Sequence, residues 1–390
     1  MKSILYGMPG SLYTGKVRCY LRKQRIPFEE RIAGDPRFMN EVVPVVGRWI
    51  VPVLQTPQGQ ILQDGAMIID HLETLPQAGP RAAPDDPVLR VVAHIFEMFG
   101  GEGMLRPAMH FRWNFDETNL AFIRKDFLSA LAPGKQGAKA DMAFAFASGR
   151  MRKATLGFGV NPQTAPTIER TYQDFLELFD KHLQTTPYLL GSSPGYGDYG
   201  LIAPLFAHLA RDPYPAQMMK RVAPRVWRWV ERMNAPDADA GEYMGHAPEW
   251  IDLAQPYESL DALLRFVAED YLPEVEAMVW FTNDWLAERP DLAAGTNGMP
   301  RPGDRHIGMM KFQWRGIPIE VMVMPYRILM LQRIQDSAAL LNAQQAAALS
   351  ALLTRTGLQR LLELRCHRRV ERKNHLEVWG PPHNNERIST

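Results

Sequence analysis

The sequence predicts an α/β unit followed by an all-helical unit and a mainly helical extension that carries a β-hairpin. Three observations lead to that class. Residues 1–76 alternate between strand and helix signals. A proline-dense stretch, "PQAGPRAAPDDP", then interrupts every periodicity with Pro76, Pro80, Pro84 and Pro87, so it reads as a linker. Beyond it, from Val88 to about Asn234, every strong signal is helical.

The elements follow in order. "SILYG" is a short apolar strand, and from Thr14 to about Arg25 the residues Val17, Tyr20 and Leu21 recur at helical spacing with basic residues on the other side. "IPFEERI" is a second strand, "WIVPVLQT" a third, and "QILQD" a fourth that completes a hairpin across "PQG". "GAMIIDHLETL" closes this region as a helix. In the second region "TIERTYQDFLELFDKHLQ" and "RVWRWVERM" are the clearest amphipathic helices. The extension opens with a helical run that Pro273 kinks or divides. "GMMKFQWRGIPIEVMVM" alternates with period two about Arg315-Gly316, which predicts a hairpin. Helices return in "AQQAAALSALLTRTGLQRLLELR", and "RCHRRVERKNH" reads as a solvated terminal helix face. The expected units are 1–76, 88–240 and 250–390. Trp280, Phe281, Trp285, Phe312, Trp314, Val321 and Val323 are too many apolar residues to leave in water. The extension is therefore expected to pack on the helical unit, narrowing access to a cleft or burying part of a dimer surface.

Composition excludes several function classes. Lys and Arg number 44 against 43 Asp and Glu, so the net charge of +1 points to no nucleic acid or acidic partner. The two cysteines, Cys19 and Cys366, form no CxxC pair and argue against a disulfide framework or thiolate metal site; a reducing cytoplasm fits best. No apolar run suits a secretory leader or approaches the roughly 20 residues that span a bilayer, so no membrane association is expected. Cys366, His367 and His375 lack zinc spacing, and no metal is expected. Walker, GxGxxG, HExxH and GxSxG motifs are missing, against nucleotide, flavin and hydrolase chemistry.

Three local stretches, in order around the linker, carry a family resemblance. "SLYTGKVR" (11–18) runs from a hydroxyl-bearing loop into a helix, "IVPVL" (50–54) places a proline at a strand entry, and "YLLGSSPGYGDYGLIAPLF" (188–206) sets a Gly-rich turn before Asp198. Over residues 1–235 the chain resembles the glutathione transferase superfamily, in its serine type. The resemblance implies a thioredoxin-like N-terminal domain, glutathione as the bound thiol, a hydrophobic electrophile as second substrate, detoxification chemistry, and a homodimer. Residues 250–390 have no counterpart in the usual two-domain chain.

The resemblance also assigns roles. Ser11 would hold the glutathione thiolate, helped by the free N–H groups opening the first helix; the plainer alternative is a helix cap. Tyr6 is the rival donor, as in tyrosine-type relatives, and Tyr13 would line the site. Pro52 would be cis, so that the backbone of Val51 pairs with the cysteinyl part of glutathione. Asp64 and Gly65 would hold the γ-glutamyl end, although Gly65 replaces the usual Ser or Thr and so removes one hydrogen bond, worth about 1 kcal/mol. The usual basic residue before the proline dipeptide is Ile50 here, and Arg48 would reach the glycyl carboxylate instead. Met104, His110 and Trp113 would contribute to an apolar pocket for the second substrate. Asp198 reads as a structural cap. The same thiolate would serve an isomerase, a dehalogenase or an ether-cleaving lyase equally well. From a different class, Gly65 and Ile50 favour a non-catalytic binding or assembly protein.

Overall fold

The computed structural model describes residues 2–76, 78–245, 250–255 and 257–382. Its first unit is a mixed sheet in the order β2-β1-β3-β4. It is built from β1 (Ser3–Gly7), β2 (Phe28–Ile32), β3 (Val53–Gln55) and β4 (Ile61–Gln63). β1 runs parallel to β2 and antiparallel to β3, with Tyr6 opposite both Arg31 and Val53. Side chains alternate across this sheet as the two-residue period demands. Leu5 and Leu54 join Val17, Tyr20, Leu21, Ile68 and Ile69, from α1 (Leu12–Lys23) and α3 (Gly65–Glu73). Tyr6 and Val53 point the other way, into Phe38, Val42 and Val46 around α2 (Val43–Val46).

The second unit comprises α4 (Pro87–Met98), α5 (Leu105–Trp113), α6 (Asp116–Leu131), α7 (Gly137–Leu156) and α8 (Ala165–His182), followed by α9 (Tyr196–Pro204), α10 (Pro213–Val222) and α11 (Pro224–Asn234). Asp86 opens α4 by accepting from the amides of Val88 and Leu89. Close approach of α4 to α9 requires glycine: a Cβ on Gly200 would lie 2.5 Å from Glu97 Cα, and one on Gly100 2.4 Å from Leu201 N. The two units are thus a thioredoxin-like domain and an all-helical domain.

The extension begins with α12 (Glu258–Asp270) and α13 (Leu272–Ala287), divided at Tyr271 with Pro273 in the first turn of α13. A hairpin of β5 (Gly308–Trp314) and β6 (Ile317–Val323) follows. Its turn has Arg315 and Gly316 at φ 47° and 78°, the mirror-image geometry that suits strand twist. Next come α14 (Pro325–Ala339) and α15 (Ala343–Thr356), the latter started by an Asn342/Gln345 capping box.

The stretch expected as a solvated helix face is instead a second hairpin, β7 (Arg368–Lys373) with β8 (Leu376–Pro382). Asn374 and His375 both adopt positive φ, 48° and 65°, which turns the chain without a glycine. Val370 and Trp379 go inward while Arg369 and Glu371 stay out. The extension also packs on more than the helical domain. One continuous apolar cluster runs from Leu5 through Phe99 to Trp314, Leu331 and Trp379. Trp280 is the exception among the expected core residues, at 55% exposure.

Candidate functional site

Ser11 sits in extended conformation at the N-cap of α1, and its Oγ accepts from the Thr14 amide at 3.3 Å. No acidic residue occupies the first turn of α1, so the positive end of the helix is not answered from within the helix. Tyr13 reaches away from this cap to Glu102 Oε1 (2.9 Å) and the Gly101 carbonyl (3.0 Å). Burial, then the Glu102 charge, hold its hydroxyl well above the usual tyrosine value, so it keeps its proton.

The Val51–Pro52 peptide is cis. Val51 is half-buried, and among the described residues its backbone N–H and C=O have no hydrogen-bond partner. Across β4 from it, Asp64 caps α3, its Oδ1 accepting from the amides of Ala66 (2.9 Å) and Met67 (3.3 Å). Asp64 does this at φ 84° and ψ 137°, a conformation that L side chains rarely adopt and that costs about 1–3 kcal/mol. Gly65 follows it, and a Cβ there would stand at ordinary contact distance from α1, 3.4 Å from Lys16 Cδ and 3.6 Å from Val17 Cγ2.

The extension reaches Asp64, Arg48 and Gln63. Tyr326, near the start of α14, donates to Asp64 Oδ1 at 3.0 Å. Glu377 on β8 receives both Nη atoms of Arg48, at 2.8 and 3.0 Å, and Arg372 joins the same carboxylate while also donating to Gln63. Burial works against the ionised Glu377, but the Arg48 hydrogen bond and charge outweigh it and hold the carboxyl below its usual range. Below Tyr326, Arg327 bridges Glu102 (3.1 Å) and Glu274, and Arg106 reaches Glu274 from the other side. All four side chains are essentially buried. Further along α14, Arg333 joins Asp70 on α3 to Glu97 on α4, and Lys16 donates to the same Glu97 at 2.6 Å.

A family model of the glutathione S-transferase N-terminal domain matches residues 5–80. A second, of the glutathione S-transferase C-terminal domain, matches residues 140–232. Over these two stretches the chain matches the two domains of the glutathione S-transferase family. No curated protein is similar enough in sequence to count as a relative. Among solved structures, the beta-etherase LigF from Sphingobium sp. strain SYK-6 is 17% identical, over 61% of this chain and 97% of its own, with a TM-score of 0.45. An epsilon-class glutathione S-transferase from the housefly Musca domestica is 16% identical, over 59% and 86%, with a TM-score of 0.38. A glutathione S-transferase from Methylobacterium radiotolerans JCM 2831, in complex with glutathione sulfonate, is 17% identical, over 66% and 100%, with a TM-score of 0.35. At such identities and scores nothing about chemistry follows from them.

Within this glutathione S-transferase fold the sequence-predicted residues separate into three groups. Val51 and Pro52 lead into β3, Asp64 and Gly65 open α3 at the end of β4, and Ser11 caps α1; of these, Asp64 is contacted by the extension through Tyr326. Tyr6 lies on the α2 side of the sheet, stacked on Phe38 (5.5 Å), with its hydroxyl 3.5 Å from Gln55 Oε1. Arg48 is near the group, but Glu377 occupies its guanidinium. Met104, His110 and Trp113 form no common wall. Met104 belongs to the main core, and Trp113 to a separate cluster with Met109, Ile123 and Phe127. His110 is buried between Glu169 (3.0 Å) and Asn114 (2.7 Å), and burial lowers its proton affinity. Tyr326, Arg327 and Glu377 went unnoticed in the sequence, where they resemble any helix start or basic surface strand.

Asp198 is fully buried, accepting from the amides of Leu189 and Gly195 and the Trp229 indole, each at 3.0 Å. Burial pushes its carboxyl up to about 6. Among the described residues no His, Cys, Asp and Glu cluster suits a metal ion, and no helix is long and apolar enough to cross a membrane.

Proposed function

We propose that this chain binds glutathione between the caps of α1 and α3 and uses its thiolate to attack a hydrophobic electrophile. The observation that carries this reading is the open Val51 backbone, set between the Ser11 cap and Asp64. An N–H and a C=O side by side on an extended residue are what a short peptide needs in order to add as a strand.

Each contact has a role in this reading. The γ-glutamyl amine faces Asp64, its carboxylate meets the amide of Gly65 at the start of α3, and the cysteinyl amide pairs with Val51. The thiol proton leaves to solvent, and the sulfur accepts the Ser11 hydroxyl hydrogen. That role is compatible with capping, because Ser11 Oγ uses a lone pair toward the Thr14 amide and keeps its own hydrogen. The α1 N-terminus adds favourable potential at the sulfur. The thiolate then forms the C–S bond to the electrophilic carbon, and the leaving group departs from that carbon with the bonding pair and takes up a proton from solvent. Cys19 and Cys366 are both free thiols, in keeping with a reducing cytoplasm. A homodimer belongs to the same reading and rests on the family resemblance.

A second reading has its own observation. Asp64 and Arg48, expected at the two ends of the tripeptide, are already held by Tyr326 and Glu377. That occupancy favours a non-catalytic protein in which the transferase fold supplies interaction surfaces. Calorimetric titration with glutathione separates the two. Binding in the micromolar to millimolar range, with a thiolate absorbance appearing below the pH at which free glutathione ionises, supports the enzyme. No heat at millimolar glutathione removes it.

A further inference from the structure

Arg48 is spent on Glu377 and on the His375 carbonyl, and its Nε is buried without a partner. The cation expected at the glycyl end of the tripeptide is therefore not available there. The loop that lies against Arg48 brings another. A Cβ on Gly303 would stand 3.5 Å from Arg48 Cβ and 3.6 Å from the Gly47 carbonyl, so the chain at 303 touches the segment that carries Arg48. Four residues on, the Ile307 amide donates to Val323 at 2.9 Å, tying the loop to the end of β6 just ahead of Tyr326. Arg305 is held between these two anchors. It is exposed, and among the described residues it has no hydrogen bond or ion pair. Its charge is felt at Tyr13, Glu102 and Glu377, from three different elements around the cleft.

We propose that Arg305, supplied by the extension, binds the glycyl carboxylate of glutathione in place of Arg48. The inference rests on the glutathione reading and adds to it that the site is completed by the third region of the chain. A guanidinium with all its donors free offers two parallel N–H bonds to a carboxylate. It also explains how a tripeptide is gripped at its far end although Glu377 has taken the neighbouring arginine.

The test uses the full chain, with glutathione and its glycyl monoethyl ester as probes in calorimetric titrations. In the wild type the ester binds more weakly than glutathione. Arg305→Ala weakens glutathione about 10- to 100-fold, the range of one charge-assisted contact, and abolishes the difference between glutathione and the ester. Arg305 is exposed, so the variant folds, and Arg301→Ala on the same loop serves as control with unchanged affinity. Unchanged glutathione affinity in R305A, or an ester penalty that persists in it, overturns this inference alone. Absence of glutathione binding by the wild type overturns the functional reading and the inference together.

Discussion

Glu377 and Arg48 lie 329 residues apart in sequence and meet in a two-pronged ion pair, with each side chain only 7% exposed. Tyr326 and Asp64, 262 residues apart, form a companion contact at 3.0 Å. The extension thus presents a carboxylate and a hydroxyl to two residues that a tripeptide with a carboxylate and an ammonium group would otherwise engage. It is built into the site rather than appended beside it. The Glu377–Arg48 contact is between ionised groups out of water, where removing one partner costs far more than the pair contributes.

Glu377→Gln is expected to destabilise the fold by about 3–5 kcal/mol, since Arg48 and Arg372 would be left buried beside a neutral amide. The double variant Arg48→Met with Glu377→Met should lose less than Arg48→Met or Glu377→Met alone. Urea unfolding of the four proteins measures the coupling. Additive losses would mean that the pair is not a unit.

The pH response of one buried histidine gives a second expectation. His182 bonds the Leu189 carbonyl (2.7 Å) and the Ser259 hydroxyl (2.9 Å), and burial lowers its value to about 4. In the unfolded chain an ordinary histidine takes a proton near pH 6.5. As pH falls between those values the unfolded state binds a proton that the folded state refuses, so His182 subtracts stability across that window. Wild type minus His182→Gln should therefore fall by up to about 3 kcal/mol between pH 7 and pH 4. Urea midpoints at half-unit pH intervals read it. A difference independent of pH shows that the ring is not held neutral.

The four strands of residues 3–63 and the helices α1 and α3 were legible from local pattern, whereas the short α2 was not, and Arg315-Gly316 announced its hairpin through the glycine that positive φ favours. The β7–β8 hairpin was not. Asn374-His375 makes the same kind of turn without glycine, and the basic residues around it hid a strand whose inward positions are only Val370 and Arg368. The site divided along the same line. Ser11 and Asp64 cap helices that start next to them, so local pattern reached them. The pairing of Arg48 was not legible, because its partner Glu377 lies on β8 and no local pattern encodes a contact of that span. Arg327 and Arg333 likewise look like the solvated face of α14 until Glu102, Glu274, Asp70 and Glu97 are seen across from them.

The shared core predicts how the extension responds to proteolysis. Leu331, Ile334 and Trp314 belong to the same apolar cluster as Leu5 and Phe99. Cleavage in the 236–250 connection should leave the two fragments associated through gel filtration, with separation only in denaturant. Arg327→Met should lower stability by about 3–5 kcal/mol, because among the described residues Glu102 loses its cation and keeps only the Tyr13 hydroxyl while Glu274 keeps only Arg106, and should make that separation easier. Release of a folded 1–240 fragment with unchanged thermal stability would falsify the shared core.

Ser11 and Tyr6 now make opposite predictions. Ser11 caps α1 with a hydroxyl hydrogen to spare, while Tyr6 is turned to the α2 side of the sheet and faces Gln55. Replacing Ser11 by alanine removes one charge-assisted hydrogen bond to a bound thiolate, worth about 1.5–3 kcal/mol, so the pKa of bound glutathione should rise by about one to two units. The lost cap costs about 1 kcal/mol of stability as well. Glutathione affinity near neutral pH should change much less, because Val51, Asp64 and Gly65 act independently of the hydroxyl. Tyr6→Phe should leave the thiol pKa where it was. Ultraviolet titration of the thiolate in each complex reads the value directly. If Tyr6→Phe moves it and Ser11→Ala does not, the hydroxyl acting on sulfur is the tyrosine; if neither moves it from that of free glutathione, Ser11 is a helix cap alone.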